Sequence, residues 1–147
     1  MCNNNVYKLV SVSMIFISGF FILKNYNSLS ERIPVNYDYL GRIDNYGDKS
    51  DLIIIFIVQL VTFITLFILT KFPHKLNYPI IIPKERKIEV YKLAIRTILL
   101  MAMILNIAYT LTICKMSEMY NIPSCILIIL YISAIFPMFN FLKKVMR

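Results

Sequence analysis

The sequence predicts an all-α integral membrane protein: four transmembrane helices, with a short extracytoplasmic β-hairpin-like cap between the first and second. Three observations predict it. The 147 residues are 59% hydrophobic, with a mean hydropathy of +0.68, above the roughly 45–50% apolar share of soluble domains. The excess is gathered into four near-continuous apolar runs, whereas a soluble helix keeps a polar face. Polar connections separate the runs, and the length suits a single four-span domain over residues 1–147. The net charge of +8 would point to nucleic acid in a soluble chain. Beside membrane helices, basic residues set orientation and meet anionic lipid. The lipid bilayer is therefore the expected partner, and nucleic acid is not.

The spans are expected at about 6–23, 52–70, 94–114 and 123–142. The first holds LVSVSMIFISGFFIL. Leu23-Lys24-Asn25-Tyr26 follows it, with no small-residue cleavage site, so a retained helix is favoured over a signal peptide. The second, LIIIFIVQLVTFITLFILT, carries no charge, and a helix of that length rises about 28 Å, close to the hydrocarbon thickness. The third, TILLMAMILNIAYTLTIC, continues a helical pattern from Lys84, which implies one helix of about 30 residues. The fourth, CILIILYISAIFPMFNFL, contains Pro137, which is expected to kink it.

Four spans place both termini on one side. Lys8, the seven lysines and arginines from Lys71 to Arg96, and Lys143, Lys144 and Arg147 make eleven basic residues at that end; Lys24, Arg32, Arg42, Lys49 and Lys115 make five at the other. The bias favours both termini in the cytoplasm and the first loop outside it.

That outer loop, the cap at 30–50, is polar and acidic and holds two of the three glycines. Val35, Tyr37 and Tyr39 can share one face of a strand, with Asn36 and Asp38 on the other; Gly41 supplies a turn, and Arg42-Ile43-Asp44 returns. Asp44-Asn45-Tyr46-Gly47-Asp48 reads as a tight Asx turn. Asp38, Asp44, Asp48 and Asp51 offer oxygen ligands, but not at the alternate spacing of a calcium loop, so a solvated cap is preferred to a metal site. In the basic loop at 71–93, Pro73, Pro79 and Pro83 favour extended chain, and Pro83 suits a helix start. Glu89 is at helical spacing from Arg86 and Lys92. The segment Lys84 to Arg96 reads as an interfacial helix on lipid headgroups, with a docking face for a soluble partner as the alternative. His74, the only histidine, has no ligand cluster around it and is expected to be an exposed loop or interface residue. Cys114 and Cys125 flank one short loop; buried, inert thiols are expected, with pairing left open.

The cap residues Ile33, Pro34, Val35, Tyr37, Asp38, Gly41, Asp44, Asn45, Tyr46, Gly47 and Lys49 resemble the signature of a bacterial membrane family, the SdpI-like group. This group is related to the N-terminal half of the immunity protein for the sporulation-delaying toxin. The second loop resembles it too, in Phe72-Pro73-His74-Lys75-Leu76-Asn77-Tyr78-Pro79 and Tyr91-Lys92-Leu93. Asn36 stands where the family usually has a histidine, so a role that depends on titration of that histidine is not expected. The chain also stops where the longer immunity proteins have further spans. The resemblance implies recognition without catalysis: protection from an extracellular peptide toxin, or sequestration of a cytoplasmic regulator. The cap from Ile33 to Lys49 would meet the external ligand, and Lys84 to Arg96 the cytoplasmic partner. An accessory subunit of a transporter or permease is the alternative.

No charged residue lies in the middle of a span, which disfavours an ion-coupled transporter. No positioned acid, base or nucleophile pair is visible, which disfavours an enzyme; no cofactor is expected. Two amides lie within the spans. Gln59 and Asn106 fall about 10.5 and about 12 Å below the outer ends of their helices, so they can meet across an antiparallel pair. Interhelical glue is favoured there over a small polar pocket; Ser13 and Ser133 fall slightly deeper.

Overall fold

A computed structural model describes residues 4–38, 41–78 and 81–146. Tyr39 and Pro79 lie outside the described residues. In chain order the elements are α1 (Asn4–Asn25), β1 (Arg32–Tyr37), β2 (Ile43–Asp48), α2 (Asp51–Leu69), α3 (Lys87–Met116), α4 (Ser124–Ser133) and α5 (Phe136–Val145). Short 3₁₀ turns follow α1, open the second loop at Pro73–Lys75 and precede α3 at Lys84–Arg86. Four helical stretches, Asn4–Ser28, Asp51–Leu69, Lys84–Met116 and Ser124–Val145, are long and apolar enough to cross a membrane. Their outward faces carry large exposed apolar side chains, among them Phe16, Phe20 and Leu23 on α1 and Ile54, Ile57 and Val61 on α2.

The helix α3 is central because it packs against all four other helices. Its buried residues Ala94, Ala102, Ala108, Thr97 and Thr110 are small, and small residues let helix backbones approach closely where apolar burial alone does not drive association. Ala102, Asn106 and Thr110 recur every four residues and turn one face toward α1 and α2; Tyr109 and Thr112 meet Tyr131 of α4.

The fourth apolar stretch is two helices rather than one kinked helix. Pro137 has no N–H, and its ring would meet the carbonyl of Ser133, four residues back; α4 ends there. Ile135 N then bonds Ile132 O, and Pro137 falls in the first turn of α5, where its missing donor costs nothing.

The hairpin pairs antiparallel, with Arg32 opposite Asp48, Pro34 opposite Tyr46 and Tyr37 opposite Ile43. The register shifts around Asn36, leaving Val35 and Asp44 as extra residues on their strands. Its turn is at Asp38–Arg42. Gly41 has φ +82°, a conformation that favours glycine. Asp38 ties the turn: Arg42 N donates to its Oδ1 (2.8 Å), and Arg42 Nε to its Oδ2 (3.0 Å).

The segment Asp44–Asp48 is a strand and not the Asx turn that its composition suggests. Gly47 is required there by close approach. A Cβ at this position would strike the Asp51 carboxylate and lie 2.7 Å from Val35 Cγ1. Two other expectations are corrected. Among the described residues the ion pairs are Arg42–Asp38 and Lys49–Glu31, so Glu89 pairs with neither Arg86 nor Lys92. Pro73 opens a helical turn instead of extended chain, consistent with its fixed φ.

Candidate functional site

Polar side chains gather at two places: at the end of the bundle that carries the hairpin, called the cap end, and between the helices.

At the cap end, the Ile-Pro-Val run explains how a polar hairpin is held on an apolar bundle. Ile33 is buried in a cluster with Ile22 of α1, Leu52 of α2, and Ile113 and Met116 of α3, so one strand residue joins three helices. Pro34 is fully buried, and Val35 packs against the same cluster. The strand that follows the turn is different. Every residue of β2 except Gly47 is exposed, including Asp44 and Tyr46. Asn36 is exposed opposite Asn45. Lys49 closes the hairpin base: its Nζ lies 2.7 Å from Glu31 Oε1 and over the Tyr26 ring. Its hydrogen bond to Glu31 holds the Lys49 pKa above the ordinary lysine value.

Tyr37 turns back onto the bundle. Its ring centroid lies 3.8 Å from Lys115 Nζ, and its hydroxyl donates to Lys115 O (3.4 Å). Burial, with the charge of Glu118 as a smaller cause, pushes the Tyr37 phenol up to about 12. Lys115 is only 7% exposed, and its ammonium donates to Ser124 Oγ. Gly41, in the hairpin turn, lies against Ser124: a Cβ on Gly41 would come within 3.3 Å of that hydroxyl. Around this group lies a cavity of 670 Å³, bounded by the hairpin and the α3–α4 connection.

Between the helices, Gln59 and Asn106 meet. Gln59 Nε2 donates to Asn106 Oδ1 (3.3 Å) and is equally near Thr110 Oγ1. Thr110 Oγ1 bonds Ser18 Oγ of α1 at 2.8 Å, and Asn106 Nδ2 donates back to Ala102 O. The cluster ties α1, α2 and α3 together at one level and contains no ionisable group. Gln59 Oε1 is its one buried side-chain atom without a hydrogen-bond partner among the described residues. It is Ser18 of α1 that joins the cluster; Ser133 Oγ bonds the carbonyl of Leu130 on its own helix.

The second-loop residues form a latch at the opposite end. The Tyr78 hydroxyl donates to Pro73 O (2.8 Å), and its ring packs on Tyr91 and Phe141. This folds the loop onto α3 and α5, where Val90, Ala94, Phe141 and Val145 are buried together. Asn77 is exposed and borders a 240 Å³ apolar cavity beside the latch. His74 is exposed, edge-on to Phe72. Among the described residues no three His, Cys, Asp or Glu side chains converge as a metal site would require. Cys125 is exposed and not buried as expected, because it stands in the first turn of α4 at the cavity; Cys114 is half-buried, and both are free thiols.

Sequence reasoning missed Lys115 and Ser124. Lys115 reads as one more basic loop residue, and its place in the last turn of a helix suits the helix dipole with no further role. Only the fold brings Tyr37 of β1 and Ser124 of α4 onto its ammonium.

No curated protein and no solved structure matches the chain. A family model described as a domain of unknown function, DUF1648, matches residues 14–63, so the chain is similar to that domain from the middle of α1, across the whole cap, to the middle of α2.

Proposed function

We propose that this chain is a non-enzymatic, multi-pass protein of the bacterial cytoplasmic membrane, of the SdpI-like type, with both termini in the cytoplasm. It acts by recognition at the cap, either in immunity to a peptide toxin or in sensing one and sequestering a cytoplasmic regulator. The observation that carries this reading is the asymmetry of the hairpin. β1 is anchored in the helical core through Ile33 and Pro34, while β2 is an exposed edge strand. An exposed edge offers unpaired backbone groups, and an extended peptide can add to it as a further strand. Because β1 is fixed, the edge is preorganised, which lowers the ordering cost of binding. The basic segment that begins α3 lies at the other end of the bundle and is the surface assigned to a cytoplasmic partner.

The test is deletion of the gene followed by challenge with a panel of membrane-active peptides. Increased sensitivity to at least one peptide, restored by the wild-type gene, is expected. Unchanged sensitivity throughout, with reduced uptake of a solute, would replace this reading with the transport-accessory alternative. Orientation is tested separately with a single cysteine at Ser30, an exposed position, in a chain whose native cysteines are serines. An impermeant maleimide should label it on intact cells; labelling only after lysis would reverse the topology.

A further inference from the structure

The cavity at the cap end has a chemical character that recognition at β2 does not use. Lys115 is buried at its edge, hydrogen-bonded to Ser124 and stacked on Tyr37, yet among the described residues no carboxylate lies within ion-pair distance of it. A buried ammonium is costly without a counter-charge. Its neighbours supply a hydroxyl and a ring face, which solvate a cation without neutralising it. Ser124 also opens α4, whose first-turn amides add positive potential. Among the described residues, Lys115 is the only lysine or arginine lining the cavity, and Glu118 lines it as an exposed carboxylate. The balance suits a ligand group with one negative charge and disfavours a polyanion.

A second observation concerns what continues from the cavity. Cys125 lines it and is exposed. Ile129 and Ile132, four and seven residues on, are exposed on the same face of α4. The cavity therefore opens onto an apolar stripe that runs away from it along the helix.

We propose that the cavity binds the phosphodiester of a membrane phospholipid, with its oxygens on Lys115 and Ser124 and an acyl chain along Cys125, Ile129 and Ile132. A small free anion shares the headgroup chemistry but makes no use of the stripe.

The full chain, stripped of lipid in a neutral detergent, is titrated with short-chain phosphatidylglycerol and followed by binding and thermal unfolding. The controls are diacylglycerol of the same chain length and dimethyl phosphate, a soluble phosphodiester. Phosphatidylglycerol should bind and raise the unfolding temperature, at least about tenfold more tightly than either control. Lys115→Met should weaken it about tenfold or more, the worth of one charge-assisted hydrogen bond. Glu118→Gln, an exposed change that leaves the core alone, should tighten it a few-fold and serves even where Lys115→Met does not fold. Equal binding of diacylglycerol would overturn the headgroup site. Equal binding of dimethyl phosphate would overturn the lipid in favour of a free anion. Phosphatidylglycerol affinity unmoved by Glu118→Gln would overturn the charge assignment.

Discussion

The two polar centres of this molecule are built on opposite plans. Between the helices, Gln59, Asn106, Thr110 and Ser18 are uncharged, sealed from solvent or nearly so, and occupied mainly with one another. At the cap end, the polar groups include a buried ammonium with no carboxylate within ion-pair distance among the described residues, and they stand beside an open cavity and an exposed strand. Side chains that spend their hydrogen bonds on each other hold helices together. Side chains beside an open cavity or on an exposed strand are accessible to a ligand, and the proposed recognition is placed there. Changes in the first centre should therefore move stability, and changes on the exposed face of the second should move function alone.

The largest expected effect tests whether the cap is part of the bundle. Ile33→Ala empties a place in the cluster of Ile22, Leu52, Ile113 and Met116 and should cost about 2–5 kcal/mol, measured by denaturant unfolding in detergent. A loss near zero would mean that the hairpin only rests on the helices. Gly47→Ala comes next. The added methyl meets Val35 and the Asp51 carboxylate, and overpacking of this kind costs about 1–3 kcal/mol. In the helical centre, Gln59→Leu and Asn106→Leu, made singly and together, should show a coupling of about 0.6–2 kcal/mol. Strictly additive losses would rule out direct contact in the folded protein.

The smallest effect is a titration. The Tyr37 phenol has a folded value of about 12 against an ordinary 10, so folding favours its protonated form. Its contribution to cap stability is complete below pH 10 and is lost as the pH rises through 12. The difference in tyrosinate absorbance between the parent chain and Tyr37→Phe should have its midpoint near 12; a midpoint at 10 would mean that the ring is solvated and the cap does not close on Lys115.

The helices were legible because uninterrupted apolar runs of this length have no other stable use, and the hairpin turn because Gly41 follows an alternating run. The residues from Asp44 to Asp48 were misread for a physical reason. Asn, Asp and Gly serve both turns and tight crossings, and what decides between them is Val35, twelve residues before Gly47 in the chain and in contact with it only once the hairpin has formed. The same limit hid Lys115, whose neighbours Tyr37 and Ser124 are distant in the chain or across a loop and meet it only in the fold. Gln59 and Asn106 could be placed at one depth by counting residues, but the entry of Ser18 and Thr110 into their cluster depends on helix rotation, which a count of depth does not carry.

The central claim is that β2 is the recognition surface and that its function separates from stability. Asp44→Lys combined with Tyr46→Ala alters two exposed side chains on that strand. The measurement is survival under the peptide to which the deletion strain is sensitive, alongside the unfolding temperature of the purified variant. The account predicts that protection is lost while the unfolding temperature stays within about 2 °C of the parent's, as expected for surface changes. Full protection by this variant would contradict it.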